Sequence, residues 1–242
     1  MYQRARFLPA GDKALAVELG DSITPEINRK VRDLLVAIES QEIPGLVDLV
    51  PTYRSLLVYY DPLRLSLSDL EERLTALEQK LDQAPFKAPR VLEIPTLYGG
   101  DYGPDIGEVA EHNGLAPEEV IQIHSGAEYL VYMMGFTPGF PYLGGMSERI
   151  ATPRLQTPRT AIPAGSVGIA EQQTGVYPIE SPGGWQLIGR TPVQLFDPQR
   201  DPPVVVTAGD YVRFVPITEE AYHDIQQQVL AGSYQHTTRE EQ

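Results

Sequence analysis

The sequence predicts an α+β protein of two differently built parts, and three observations carry that reading. Strand-like and helix-like segments alternate through the first part of the chain. Glycine and proline make up about three in ten residues from 135 to 203, and a proline-bounded stretch, Gln83-Ala84-Pro85-Phe86-Lys87-Ala88-Pro89, stands between the two patterns. Residues 1–88 are accordingly read as a small ferredoxin-like domain, 89–218 as a barrel or sandwich of short strands, and 219–242 as a helix with a loose tail.

The elements follow in order. A short segment at Arg4 to Leu8 precedes a strand at Ala14 to Leu19. Ser22 to Ser40 places Ile23, Ile27, Val31, Leu34, Leu35 and Ile38 at helical intervals, with Thr24 set to cap and Pro25 in the first turn. Leu46 to Val50 and Leu56 to Tyr60 are rich in branched and aromatic residues and predict two strands. Leu70, Leu74, Leu77 and Leu81 mark a second amphipathic helix over Ser68 to Leu81, and Val91 to Thr96, just past the 88/89 boundary, is the final strand of the strand-helix-strand-strand-helix-strand order on which the ferredoxin-like reading rests. Beyond it come two short helices, Asp105 to Asn113 and Pro117 to His124, and a strand from Glu128 to Met134. The turn-dense region follows, with further strands at Val204 to Val206 and Tyr211 to Val215 and a closing helix at Glu219 to Leu230.

Composition removes several classes of chemistry. With 19 basic and 33 acidic side chains the net charge is −14, which disfavours a broad nucleic-acid or anionic-lipid surface. Zero cysteines exclude disulfides, thiolate metal sites and thiol nucleophiles. The absence of a signal-like or bilayer-length apolar run gives the expectation of a cytoplasmic protein. All four lysines, Lys13, Lys30, Lys80 and Lys87, lie early, so any anion held in the second part is held by arginine or by backbone N–H groups.

The four histidines show no metal-binding spacing, and no protein-bound metal is expected. His124, at the end of a predicted helix, is either a cap favoured by the helix dipole or a general acid–base. Ala164-Gly165-Ser166-Val167-Gly168 lacks the first glycine of a nucleophile elbow. The loop from Gly135 to Gly145 repeats a Gly/Phe/Pro theme that implies one rigid path, as a barrel plug or as a ligand contact. Arg154 and Arg159 each follow a proline, which suits either a carboxylate or phosphate ligand or ion pairs with the chain's excess acids. Gln173, Tyr177, Trp185 and Arg190 gather amides, rings and a cation around glycines, as a small planar polar ligand or a turn-rich core would require.

The strings HSGAEYLVYMMGFTPGFPYLGG, TPRLQTPRTAIPAGSVGIAEQQTGVYPIESPGGWQLIGRTPVQLFDP and TAGDYVRFVPI closely resemble the family called the 5-oxoprolinase B subunit, sporulation kinase inhibitor or allophanate hydrolase subunit 1. The resemblance covers almost the whole chain and is densest from about Glu93 to Pro216. It implies that the second domain is a cyclophilin-like β-barrel. It also implies partners: the 5-oxoprolinase C subunit, itself built as a related barrel, and the A subunit, with which the chain would hydrolyse 5-oxo-L-proline to L-glutamate at the expense of ATP with Mg²⁺. Relatives with other roles imply two alternatives, an inhibitor of a sporulation-type histidine kinase and a subunit of a urea carboxylase or allophanate hydrolase pathway. Of the family's motif positions, the resemblance carries His124 over as a proton shuttle. Arg154, Arg159 and Arg190 are carried over as cationic contacts, and Gln173, Tyr177 and Trp185 as residues holding substrate or nucleotide.

Overall fold

The computed structural model describes residues 2–81 and 89–240. The chain divides into two compact units, Met1–Lys87 and Ala88–Gln242. The stretch read as a linker lies, apart from Pro89, outside the described residues.

The first unit runs β1 (Arg6–Pro9), β2 (Ala14–Glu18), α1 (Pro25–Glu39), β3 (Leu46–Pro51), β4 (Ser55–Tyr60) and α2 (Leu67–Glu78), with an antiparallel sheet ordered β1-β2-β4-β3. Thr24 Oγ1 accepts the Ile27 N–H at the start of α1, and Ser66 caps α2 in the same way by accepting from Asp69. The apolar stripes of both helices close over Leu15, Val17, Leu56 and Val58, burying Ile27, Val31, Leu34, Ile38, Leu70 and Leu74.

One expectation is corrected here. The strand at Val91 to Thr96 forms, as β5 (Arg90–Tyr98), but it belongs to the second unit. The sheet position beside β2 is filled instead by β1, with Phe7 opposite Val17 and Leu8 opposite Ala16. The physical reason is burial: Val91, Leu92 and Ile94 are all sealed from solvent, so β5 needs cover on both faces. The half-polar β1, ending at Pro9, suits a sheet edge.

After β5 the second unit continues with α3 (Ile106–Asn113), α4 (Pro117–Ser125), β6 (Tyr129–Met134), β7 (Pro141–Gly144), β8 (Arg159–Ile162), β9 (Ser166–Ala170) and β10 (Gln173–Val176). Then come β11 (Ser181–Gly183), β12 (Gln186–Arg190), β13 (Tyr211–Pro216), α5 (Glu219–Leu230) and β14 (Thr238–Glu240). The main sheet is ordered β10-β9-β12-β5-β13-β6-β7, and its end strands β7 and β10 lie side by side, so the sheet nearly closes into a barrel. Its interior is filled by Ile94, Tyr129, Val131, Ile169, Ile188 and Phe214, while β8 and β11 form a separate ribbon.

Two smaller expectations change. Val204 to Val206 is irregular, with a single bridge from Val204 to Phe196. The tail expected to be loose after Gly232 returns as β14, where Thr238 pairs with Leu92 and Arg239 forms an ion pair with Glu128. No helix among the described residues is long and apolar enough to cross a membrane.

Candidate active site

The second unit holds a smaller aromatic cluster outside the barrel core, built on paired glycines. Gly168 and Gly175 face each other across the β9–β10 hairpin, and a Cβ on either would come within 3.2 Å of the Trp185 side chain. Their bare backbones let the indole lie against the hairpin. Phe140 and Tyr177 meet Trp185 edge-on at centroid distances of 5.7 and 6.1 Å, and Phe140 carries the exposed Phe136 ring at 5.5 Å. The repetitive loop therefore anchors this cluster through Phe140 while leaving Phe136 62% exposed at a φ of 63°.

Asp105 organises the rim of the cluster. Its Oδ1 takes the Arg159 guanidinium at 2.7 Å and its Oδ2 accepts the Leu187 N–H at 2.6 Å, while its own N–H donates to the Leu187 carbonyl. Arg159 also donates to the Trp185 carbonyl, so one carboxylate at the start of α3 ties β8 to β12. Arg154 follows Pro153 on an irregular segment held by the Leu155 N–H to Gly184 O bond of 2.7 Å. Tyr177 is 2% exposed, and burial pushes its hydroxyl up to about 12. The nearby Arg154 and Arg159 cations and a hydrogen bond with the Trp185 backbone oppose that rise. Arg154, Arg159, Tyr177 and Trp185 are thus brought together as one constellation.

Beside it lies an open cleft of about 610 Å³ between α3 and the 152–156 segment. Asp105, Glu108 and His112 line it from the helix side, and Thr152, Arg154 and Gln186 from the other. Arg154 is exposed and has no ion pair among the described residues, whereas Arg159 is held by Asp105. Gln186 is 5% exposed; its Nε2 donates to the Pro153 carbonyl at 3.0 Å, and its Oε1 is buried without a partner.

Three of the residues expected at the site are elsewhere. His124 is fully buried in the barrel core, with its ring 4.5 Å from Phe214 and 5.5 Å from Tyr129. Its Nδ1 lies 2.7 Å from the Tyr98 hydroxyl and its Nε2 2.7 Å from Thr174 Oγ1. Because the Thr174 hydroxyl donates to Gly168 O, the network assigns the proton to His124 Nε2, and Nδ1 accepts from Tyr98. Desolvation lowers its pKa to about 3. A neutral, doubly bonded imidazole with no solvent face supports a packing role rather than proton exchange with a ligand.

Arg190, at the far end of β12, places its guanidinium 5.6 Å over the Tyr102 ring and close to Tyr222. Neither it nor the half-buried Gln173, which opens β10 opposite Ala170, lines the cleft. Ser166, in the string that falls short of a nucleophile elbow, is buried in β9. Asp105 and Gln186 went unselected from sequence: the first reads as an ordinary helix start, and only its position after Gly103-Pro104 hinted at more. The second is one of several amides near the tryptophan.

The carboxyltransferase domain, subdomain C and D, family profile matches residues 5–206. The chain is 48% identical over 237 residues to a Bacillus subtilis protein named as the B subunit of 5-oxoprolinase, covering 92% of this chain and 97% of that one. The protein of the same name from Escherichia coli O157:H7 is 43% identical over 218 residues, covering 90% of this chain and 98% of its own. A solved structure of a conserved uncharacterized protein from Pyrococcus horikoshii is 52% identical, with a TM-score of 0.54, over 90% of this chain and 100% of that one. The K. lactis urea amidolyase structure shares the fold at a TM-score of 0.79 and 23% identity, over 98% of this chain but 16% of that one. A match across most of the chain, together with close relatives of nearly equal length, settles the membership: the chain belongs to the carboxyltransferase subdomain C and D family, alongside the proteins named as the B subunit of 5-oxoprolinase.

Proposed function

We infer that this chain is the B subunit of an ATP-dependent 5-oxoprolinase, which with the C and A subunits hydrolyses 5-oxo-L-proline to L-glutamate in the cytoplasm. The observation that carries the reading is the 48% identity to a protein of that name over 97% of its length. The near-closed barrel is read as cyclophilin-like and the first unit as a ferredoxin-like sheet whose fourth position β1 supplies. Function follows the site rather than either fold. Urea amidolyases are 26% identical or less, and the chain spans 14% of such a relative, so that pathway is the weaker reading.

The chemistry gives the cleft a task. A five-membered lactam is a stable amide, and opening it calls for a held substrate, donors for the lactam oxygen and exclusion of stray water. In this reading Arg154 supplies a free cation, and the Asp105–Arg159 pair fixes the backbone on which Trp185 and Gln186 stand. Tyr177, protonated at neutral pH, lies beside both arginines.

ATP with Mg²⁺ fits the described residues poorly. The cleft offers one uncompensated guanidinium beside Glu108, and no group of three His, Asp or Glu residues able to hold a metal occurs among the described residues. No step through the nucleotide is derived for this chain.

Reconstitution tests the assignment. With all three subunits present, 5-oxoproline-dependent ADP release is expected, and omission of this chain is expected to abolish it. Undiminished release without the chain would overturn the reading.

A further inference from the structure

We propose that the helix-free face of the first unit's sheet is a self-association surface, on which a second copy of the chain seats the same face.

Residues alternate between the two sides of each strand, and the register sorts them into two faces. Leu15, Val17, Leu56 and Val58 lie under the helices. On the opposite face Leu8 pairs with Ala16, Ala16 with Leu57 and Leu57 with Val50, so all four strands contribute to one continuous apolar row. Leu8 is 46% exposed and Val50 39%, and Tyr59 in the next row is also 39% exposed. Apolar side chains gathered in this way on a sheet face mark an interaction surface.

The row is complementary to itself. The order β1-β2-β4-β3 sets the midline of the sheet between β2 and β4. On β2, Ala16 is a shallow place between Leu8 and Leu57. A twofold axis along the midline, parallel to the strands, lays β2 of one copy over β4 of the other. Leu57 of each copy then sits over Ala16 of the other, and Leu8 meets Val50. Large against small is how two facing sheets interdigitate at a spacing of about 10 Å. The contact is isologous and closes at two copies.

Charge and area fit the same occupant. With a net charge of −14, two copies repel wherever acids gather. The row has no charged residue, and Glu18 at its border is balanced by an ion pair with Arg54. Under the twofold axis Glu18 stands over Ser55, so the arrangement sets no acid against it. Four strands of about five residues make a face of roughly 19 by 17 Å. Two such faces hide less than the roughly 1,200 Å² at which stable interfaces begin, so the dimer is a reversible one.

Sedimentation of the full chain between ~5 and ~500 µM tests the surface. Wild type should pass from monomer to dimer across that range. Leu57→Glu should weaken association at least about tenfold, because each copy would press a carboxylate into an apolar contact. Ala16→Leu fills the shallow place without adding charge and should weaken association several-fold. Circular dichroism and the melting temperature establish that each variant is folded; if Leu57→Glu is not, Ala16→Leu and Leu8→Glu decide the matter. A wild type that stays monomeric throughout, or a dimer that every folded variant keeps, overturns the proposal. So does a chain that is monomeric alone and whose Leu57→Glu variant loses binding to another subunit, since the face would then belong to that subunit.

Discussion

The fully buried His124 makes the stability of the barrel depend on pH, by an amount that follows from its surroundings. In the folded protein its pKa falls to about 3, whereas the unfolded chain leaves it near 6.5. Since the folded value is the lower one, the unfolded state binds the extra proton. The contribution is present above pH 6.5 and is lost as pH falls from 6.5 toward 3, at up to about 1.4 kcal/mol per pH unit. Protonation of the unfolded histidine favours unfolding by about 0.2 kcal/mol at pH 7 and about 2 kcal/mol at pH 5. Between those conditions the wild type should therefore lose about 2 kcal/mol more than His124→Gln, which keeps a donor and an acceptor but does not titrate. The assay is urea unfolding at the two pH values, followed through Trp185, which reports on the unit containing His124. Equal losses in both proteins would refute the argument. So would an imidazole resonance of His124 titrating near pH 6.5 in the native state.

Three further outcomes follow from the same structure. Asp105→Ala should destabilise the second unit by about 2–3 kcal/mol, because the Leu187 N–H and Arg159 both lose their partner. Arg159→Ala alone should cost about 1 kcal/mol, and a double-mutant cycle showing strict additivity would contradict the coupling drawn here. Glu171 sits at a φ of 53° in the first place of the two-residue loop between β9 and β10, where a turn of this hand prefers glycine. Glu171→Gly should therefore raise stability by about 0.5–1 kcal/mol in thermal or urea melts, and a loss would argue against strain at that site. Gly103→Ala would place a Cβ 2.0 Å from the Ile188 carbonyl oxygen, a backbone atom that cannot swing aside. A loss of at least about 2 kcal/mol, or insoluble expression, is expected, and a wild-type melting temperature would refute the close approach.

The helices were legible in sequence because their signals are local. The apolar stripe from Ile27 to Ile38, the cap at Thr24, and Pro25 and Pro117 at helix starts are written within a few residues. Strand partners were less legible. Val91 to Thr96 reads correctly as a strand, yet nothing in its composition says that it joins β13 in parallel rather than β2. That choice depends on which sheet covers both of its faces. The tail read as loose failed for a related reason: β14 gains its order from β5, almost 150 residues earlier.

At the site, Arg154, Arg159, Tyr177 and Trp185 do converge, because the glycine pairs that admit the indole lie in the same motif strings. His124 and Arg190 carry equally suggestive chemistry but end in the core and beside Tyr102. Position along a sequence does not reveal which side of a strand meets solvent when both are covered. Asp105 was overlooked because its importance lies in bonds to residues 54 and 82 positions away.

The ladder that joins β14 to β5 sets Glu240 opposite Arg90, so the second unit begins and ends its strands side by side. The first and last strands of the second unit are thus direct neighbours in one ladder. A module with adjacent ends is easily inserted into a longer polypeptide.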